Sequence, residues 1–181
     1  MTVRQRDPAR VLVIGYGNAL RTDDGVGWHA ARFLAGDPRL ANVVVVAEHQ
    51  LTPELAFDLS LASLVVLLDA STETPAGTVT VRSLPAPGAA GPGLPDRPEG
   101  AGFTPGASSH HVDPELLVAL ARELYGRAPE VVVVSVGVTE MGLGECLTPT
   151  VEAALPAVAD IVARLVTEHE GRAEDEEPQP A

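Results

Sequence analysis

The stretch Val11-Leu-Val-Ile-Gly-Tyr-Gly-Asn-Ala-Leu-Arg-Thr-Asp-Asp-Gly-Val-Gly27 decides the fold of this chain. Its first four residues form an apolar, largely β-branched run, which is typical of a buried parallel strand. The two glycines that follow let the backbone turn sharply, and an amphipathic segment that predicts a helix begins at residue 26. Asp23 and Asp24 therefore lie beyond the carboxyl end of a strand, where open α/β sheets bind ligands.

The acidic character of this loop disfavours a phosphate ligand. Two carboxylates would repel a phosphate, but they suit a metal ion or proton chemistry. Gly15 and Gly17 begin a dinucleotide-binding fingerprint, yet its third glycine position is occupied by Leu20. The chain contains no lysine, so the lysine of a P-loop is missing as well. These two departures argue against a nucleotide-binding module.

Composition narrows the partners and the compartment. The formal net charge of −13 argues against nucleic acid and anionic membranes as partners. No apolar run approaches the roughly 18 residues of a membrane span, and the first residues lack the apolar core of a signal peptide. The single cysteine, Cys146, excludes an intramolecular disulfide and a cysteine-rich zinc site. We expect a cytoplasmic protein in which Cys146 is a small core or loop thiol rather than a nucleophile.

Strand and helix patterns alternate along the chain, which predicts a three-layer α/β/α sandwich. The predicted strands cover residues 11–14, 43–47, 64–68, 78–82 and 131–136. Helices are predicted to start near Gly25, after an N-cap at Thr52, after an N-cap at Asp113, and at Thr148 as one long last helix. The link from the third strand to the fourth is too short for a crossover helix, so the five-stranded sheet is expected to be mostly parallel with one antiparallel edge strand.

The same patterns define one domain with loose ends. Residues 10–168 are expected to form the domain, preceded by a flexible N-terminus at residues 1–9. Residues 84–107 are rich in proline, glycine and alanine and predict a long mobile loop. Residues 169–181 are strongly acidic and predict a disordered tail.

Three segments together resemble the family of [NiFe]-hydrogenase maturation proteases. The first loop matches the family signature Gly-x-Gly-Asn-x-Leu-x-x-Asp-(Asp/Glu)-Gly-x-Gly at each fixed position. Residues 67–70 resemble the end of the family's third strand, and residues 134–137 with 144–152 resemble its last strand and the entry to its last helix. The similarity extends from about Val11 to Val166, and it implies the same sandwich fold.

The resemblance implies a site of two carboxylates and one imidazole. Asp24 matches the acid of the family's first loop, and Asp69 matches the aspartate at the end of its third strand. His110 matches its histidine, because Ser108 and Ser109 provide the expected lead-in. These three residues are expected to be both catalytic and metal-contacting, and such a set suits nickel or zinc with positions left open. His111 stays open as the alternative to His110, since a shift of one residue redirects the side chain.

Other polar residues near these motifs are expected to play supporting parts. Asp23 is interpreted as a helix cap or as a support for Asp24, and Asn18 as a residue that fixes the loop through side-chain-to-backbone bonds. His29 lies five residues after Asp24, so it is not expected to be a ligand. The main departure from the family is the sequence Glu48-His49-Gln50 after the second strand, whose residues are candidates for lining the cleft and setting partner choice.

The implied activity is that of an endopeptidase that removes the C-terminal extension of a [NiFe]-hydrogenase large-subunit precursor after nickel insertion. Nickel is then contributed by the substrate, and the enzyme is not expected to bind a metal tightly by itself. Two alternatives stay open at this point. One is an autonomous zinc- or nickel-dependent hydrolase that uses the same residues, and the other is a non-catalytic protein that senses a bound metal.

Overall fold

A computed structural model describes residues 10–85 and 112–175 of the chain. In this part, five strands alternate with helices. The strands are β1 (Val11–Tyr16), β2 (Val44–Glu48), β3 (Leu64–Ser71), β4 (Val79–Ser83) and β5 (Glu130–Gly137). The α-helices are α1 (Val26–Leu34), α2 (Leu55–Leu61), α3 (Pro114–Tyr125), α4 (Pro149–Glu152) and α5 (Leu155–Asp175), and short 3₁₀ turns lie at Thr22–Gly25 and Pro38–Leu40.

The strands form one sheet in the order β2-β1-β3-β5-β4. All neighbouring pairs are parallel except β4 and β5, which are antiparallel at the edge. This confirms the predicted fold class, including the position of the antiparallel strand. The chain leaves β1 toward β2 on one side and places β3 on the other side, so the direction of the connections reverses between β1 and β3. Ligands of open α/β sheets bind at the carboxyl ends of such a pair of strands.

Alternation along the buried strands divides the core into two layers. One cluster lies between the sheet and helices α1, α4 and α5, and the other lies between the sheet and helices α2 and α3. In β1, Val11 and Val13 belong to the first cluster, whereas Leu12 and Ile14 belong to the second. Because both faces of the central strands are covered, these strands read as continuous apolar runs in the sequence.

The helix boundaries differ from the prediction at two places. Helix α2 begins at Leu55 rather than directly after Thr52, since Thr52 to Glu54 form a turn in which the Thr52 carbonyl accepts from the Leu55 N–H. The predicted long last helix is divided into α4 and α5. Pro156 has no N–H to donate to the carbonyl four residues earlier, so the helical ladder is interrupted at this point.

Two predicted boundaries also shift. Strand β3 continues to Ser71, so Asp69 lies within the strand, paired with Ser135, rather than just beyond it. Helix α5 continues to Asp175, so residues 169–175 are helical, whereas a disordered tail was predicted from residue 169. The reason is tertiary contact, because His169 Nε2 lies 2.8 Å from Ser63 Oγ and Arg172 pairs with Glu130 at 3.0 Å.

The remaining predicted segments fall largely outside the described residues. These are the N-terminus at 1–9, residues 86–107 of the predicted loop, and residues 176–181 of the predicted tail. Leu84 itself is buried and donates its N–H to Val131, so the described chain is still part of the fold at that residue. Among the helices of the described ranges, none is long and apolar enough to span a membrane.

Candidate active site

The first loop folds tightly back on the sheet, and this close packing leaves no room for a side chain at its glycines. Gly17 has a φ of 140°, and a Cβ at this residue would overlap the carbonyl oxygen of Asp24. A Cβ on Gly27 would overlap the carbonyl oxygen of Leu68 in β3. The close approach at Gly27 packs the first turn of α1 against the end of β3, so the loop that carries Asp24 lies next to the strand that carries Asp69.

Asn18 fixes the loop from within. Its side-chain oxygen accepts from the Leu20 N–H at 3.0 Å, and its carbonyl accepts from the Arg21 N–H at 2.9 Å. The Arg21 carbonyl in turn accepts from the Asp24 N–H at 3.0 Å. The interpretation of Asn18 as a residue that fixes the loop is confirmed, and this chain of bonds leads directly to Asp24, which is half-buried.

Asp69 is half-buried at the carboxyl end of β3, and both of its carboxylate oxygens have a partner. Oδ2 accepts from the Tyr16 hydroxyl at 2.6 Å, and Oδ1 accepts from the Ala70 N–H at 2.8 Å. Burial raises the pKa of Asp69; the two hydrogen bonds lower it, and the negative charge of Asp24 raises it further. The turn that carries Asp24 lies against β3, which carries Asp69, and a cation between the two carboxylates would relieve their repulsion.

Tyr16 is the site residue that the sequence analysis missed. Gly15 pairs with Leu68 in the parallel register, so the next residues, Tyr16 and Asp69, lie side by side on the same face. Burial and the neighbouring Asp69 raise the pKa of Tyr16 above its ordinary value, so its hydroxyl stays protonated and donates. The signal was available as a hydroxyl-bearing aromatic residue at the end of a strand whose neighbour ends in an acid.

Asp23 has a different role from Asp24, although the two are adjacent. Its side chain is fully buried and accepts from the Thr148 N–H at 2.7 Å and from the Thr148 hydroxyl at 2.9 Å. Thr148 is the N-cap residue of α4, where a carboxylate is favoured by the helix dipole. Asp23 therefore joins the first motif to the last one and supports the loop, and it caps α4 rather than its own helix.

The first loop also pairs with the segment between β5 and α4. The Thr22 N–H donates to the Gly144 carbonyl at 2.8 Å, and the Gly144 N–H donates to the Leu20 carbonyl at 3.0 Å. Thr22 has a φ of 45°, an unfavourable conformation for a β-branched residue, and its hydroxyl donates to the Gly142 carbonyl at 3.1 Å. Strain of this kind persists where the surroundings fix the backbone, and it is concentrated at functional sites.

The other residues singled out from the sequence lie at varied distances from this rim. Glu48 is half-buried and its carbonyl accepts from the Gly17 N–H at 3.2 Å, whereas His49 and Gln50 are exposed. His29 packs edge-on against Trp28 within α1, with ring centroids 5.0 Å apart, and burial lowers its pKa.

Cys146 is exposed in the segment before α4, so it is a loop thiol rather than a core thiol. His110 and His111 lie outside the described residues, and their proposed contacts stay predictions. Within the described ranges, no group of three or more histidine, cysteine, aspartate or glutamate side chains is placed to hold a metal ion. The structure thus places the turn that carries Asp24 against β3, which carries Asp69, and adds Tyr16.

The fold and this rim define a class, namely a doubly wound α/β sandwich with two carboxylates at its topological switch point. No family model matches the chain, and no curated protein does. Solved structures do match the chain.

A [NiFe] hydrogenase maturation protease, HycI from Thermococcus kodakarensis KOD1, aligns over 88% of this chain and 93% of its own, with 18% identity and a TM-score of 0.64. A hydrogenase 2 maturation peptidase from Thaumarchaeota archaeon SCGC_AB-539-E09 aligns over 87% and 98%, with 25% identity and a TM-score of 0.60. The hydrogenase maturating endopeptidase HybD from E. coli aligns over 88% and 93%, with 23% identity and a TM-score of 0.60. The chain has the fold of the [NiFe]-hydrogenase maturation proteases, in agreement with the resemblance of its motifs to that family.

Proposed function

We propose that this protein is an endopeptidase that removes the C-terminal extension of a [NiFe]-hydrogenase large-subunit precursor after nickel has been inserted. The observation that carries the proposal is that the turn holding Asp24 packs against β3, the strand holding Asp69, at the switch point between β1 and β3. The similar solved structures are named as proteases, peptidases or endopeptidases of hydrogenase maturation, which supports the same reaction here. The reaction is expected to take place in the cytoplasm.

The chemistry of the rim suits a nickel ion that arrives bound to the substrate. Asp24 and Asp69 offer carboxylate oxygens, and His110 is proposed to add an imidazole nitrogen. Three such ligands leave positions for groups that the precursor itself contributes. The mutual repulsion of Asp24 and Asp69 makes this rim electrostatically favourable for a cation, so binding nickel would place the neighbouring peptide next to the two acids. A metal ion held by these residues would polarise a carbonyl group or a water molecule for hydrolysis.

The test is a cleavage assay with matched precursors. The purified chain is incubated with nickel-free and with nickel-loaded precursor, and the mass of the large subunit is followed. We expect cleavage of the loaded form alone, and we expect Asp24→Asn and Asp69→Asn to abolish it. Asp160→Asn is the control, since Asp160 is an exposed aspartate of α5 that pairs with Arg39 at 2.8 Å. Arg39 lies in the turn before β2, at the opposite end of the sheet.

Each of the other outcomes would favour a different function or mode of recognition. Equal cleavage of the two precursors would contradict recognition through nickel. Activity that is lost when the enzyme alone is chelated, and restored by zinc, would favour the autonomous hydrolase. Tight binding of the loaded precursor without any change in its mass would favour a non-catalytic metal-sensing protein.

A further inference from the structure

We infer that Tyr16 is a positioning residue that holds the Asp69 carboxylate in the orientation needed to contact the substrate-bound metal. The inference rests on the proposed function. It starts from one contact, the 2.6 Å hydrogen bond from the Tyr16 hydroxyl to Asp69 Oδ2, which joins residues 53 positions apart. Hydrogen bonds of a hydroxyl to a carboxylate at this length are among the stronger ones in proteins.

The position of the ring makes Tyr16 suitable for this task. Tyr16 is the last residue of β1, and its ring packs against the apolar cluster between the sheet and helices α2 and α3. A ring that is packed in this way has little freedom, so its hydroxyl is held at a fixed point beside β3. Side chains that are locked by packing provide the preorganisation that a functional carboxylate requires.

Without the hydroxyl, the Asp69 carboxylate would keep only the bond from Ala70. That donor is the main-chain N–H of the next residue, at 2.8 Å from Oδ1, and it leaves Oδ2 free. The negative charge of Asp24 opposes the charge of Asp69, so an unanchored carboxylate would turn away from its neighbour. With both oxygens anchored, each still has a lone pair for a cation. Removing a partner that orients a metal-binding side chain typically costs about 10- to 100-fold in affinity or activity.

The Tyr16 hydroxyl is not needed to fill space, so its effect on the orientation of Asp69 can be tested without disturbing the packing of the ring. Phenylalanine occupies nearly the same volume as tyrosine, so Tyr16→Phe removes the donor and keeps the apolar contacts. The chain provides a matched control, because its second tyrosine, Tyr125, lies exposed at the end of α3 and stacks edge-on with Phe57. Tyr125→Phe therefore repeats the same chemical change far from the carboxylates.

The experiment measures cleavage and binding separately. For Tyr16→Phe we expect kcat on nickel-loaded precursor to fall about 10- to 100-fold, while Tyr125→Phe leaves it unchanged. We also expect the preference in binding affinity for nickel-loaded over nickel-free precursor to fall about 10-fold, with the affinity for nickel-free precursor unchanged. In an Asp69→Asn background, Tyr16→Phe should change neither affinity, because the side chain that it positions is already altered.

The outcomes distinguish the inference from the proposed function. If the unaltered chain cleaves loaded precursor and Tyr16→Phe does so equally well, the inference is overturned and the proposed function stands. An equal loss of affinity for both precursors would show that Tyr16 is merely structural. An additive loss in the Asp69→Asn background would also overturn the inference. If the unaltered chain cleaves neither precursor, the proposed function and the inference fall together.

Discussion

Asp23 and Asp69 are two carboxylates of the same rim with the same number of hydrogen bonds, yet their surroundings give them opposite roles. Asp23 is fully buried, and both of its bonds come from Thr148 at the start of α4. Asp69 is half-buried, its bonds come from Tyr16 and Ala70, and it experiences the charge of Asp24. The first acid is hydrogen-bonded to the start of a helix, whereas the second experiences the charge of another acid.

The comparison teaches that satisfaction of hydrogen bonds does not by itself mark an acid as structural. What matters is whether other groups of the protein stabilise the negative charge of the carboxylate. The helix end compensates Asp23, so its removal should affect the fold. For Asp69, the nearby acid makes the uncompensated charge larger, so its removal should affect ligand binding more than folding.

The largest effect is expected for Asp69→Asn. Cleavage of nickel-loaded precursor should fall by at least about 100-fold, because an amide is a poor ligand for the cation and the charge of the pair is halved. The melting temperature should not fall, since an amide can donate to the Tyr16 oxygen and accept from Ala70. A calorimetric scan beside the cleavage assay checks both. A drop in melting temperature that parallels the loss of activity would place Asp69 with Asp23.

Asp23→Ala should give the converse result. The Thr148 N–H and hydroxyl would lose their acceptor in a buried place, so the free energy of unfolding should decrease by about 3 kcal/mol. Asp23→Asn is the matched variant, because an amide can accept from the N–H and donate to the hydroxyl, and most of the stability should be retained. Urea unfolding of the three proteins measures the difference. Full stability in Asp23→Ala would show that the two acids do not differ as described.

The different roles of Asp23 and Asp69 mark the limit of what the sequence could predict. The sandwich and its antiparallel edge were predictable, because period, run length and connection length reflect backbone constraints that act locally. The resemblance placed Asp24 and Asp69 in one site, and the topology puts Asp24 beyond the carboxyl end of β1 and Asp69 near that of the neighbouring β3. The bonds of Tyr16 to Asp69 and of Asp23 to Thr148 were not predicted. They depend on strand register and on contacts between residues that lie far apart in the sequence, by 53 positions in the first case and by 125 in the second. The extension of α5 was missed because tertiary contacts overrode an acidic composition.

A smaller effect is expected at the opposite end of β3, where His169 meets Ser63 just before the strand. Burial lowers the pKa of His169, while Glu130 raises it and Arg172 lowers it. A histidine with a depressed folded pKa contributes stability that is present above its ordinary pKa of 6.5 and is lost as the pH falls through the folded pKa. The unfolding free energy should therefore decline less steeply below pH 6.5 in His169→Gln than in the parent chain.

Urea titrations between about pH 8 and pH 5 give this difference curve. His29, whose pKa is also lowered, is present in both proteins and cancels. The cleavage rate at pH 8 should be the same for both proteins, because the His169 contact, like the Asp23 contact, is structural. A change in the cleavage rate with unchanged stability would break the distinction between structural contacts and the rim.

The smallest effect is expected for Cys146→Ser. Cys146 is exposed in the segment that connects β5 to α4, two residues before Thr148, so it shares the segment that Asp23 anchors. If this segment only supports the rim, the variant should cleave nickel-loaded precursor at the parental rate and unfold at the parental urea concentration. Iodoacetamide, which alkylates exposed thiols, should also leave the rate unchanged. Loss of activity in both experiments would place a nucleophile in the supporting segment, and the assignment of Asp24 and Asp69 as the reacting rim would then be wrong.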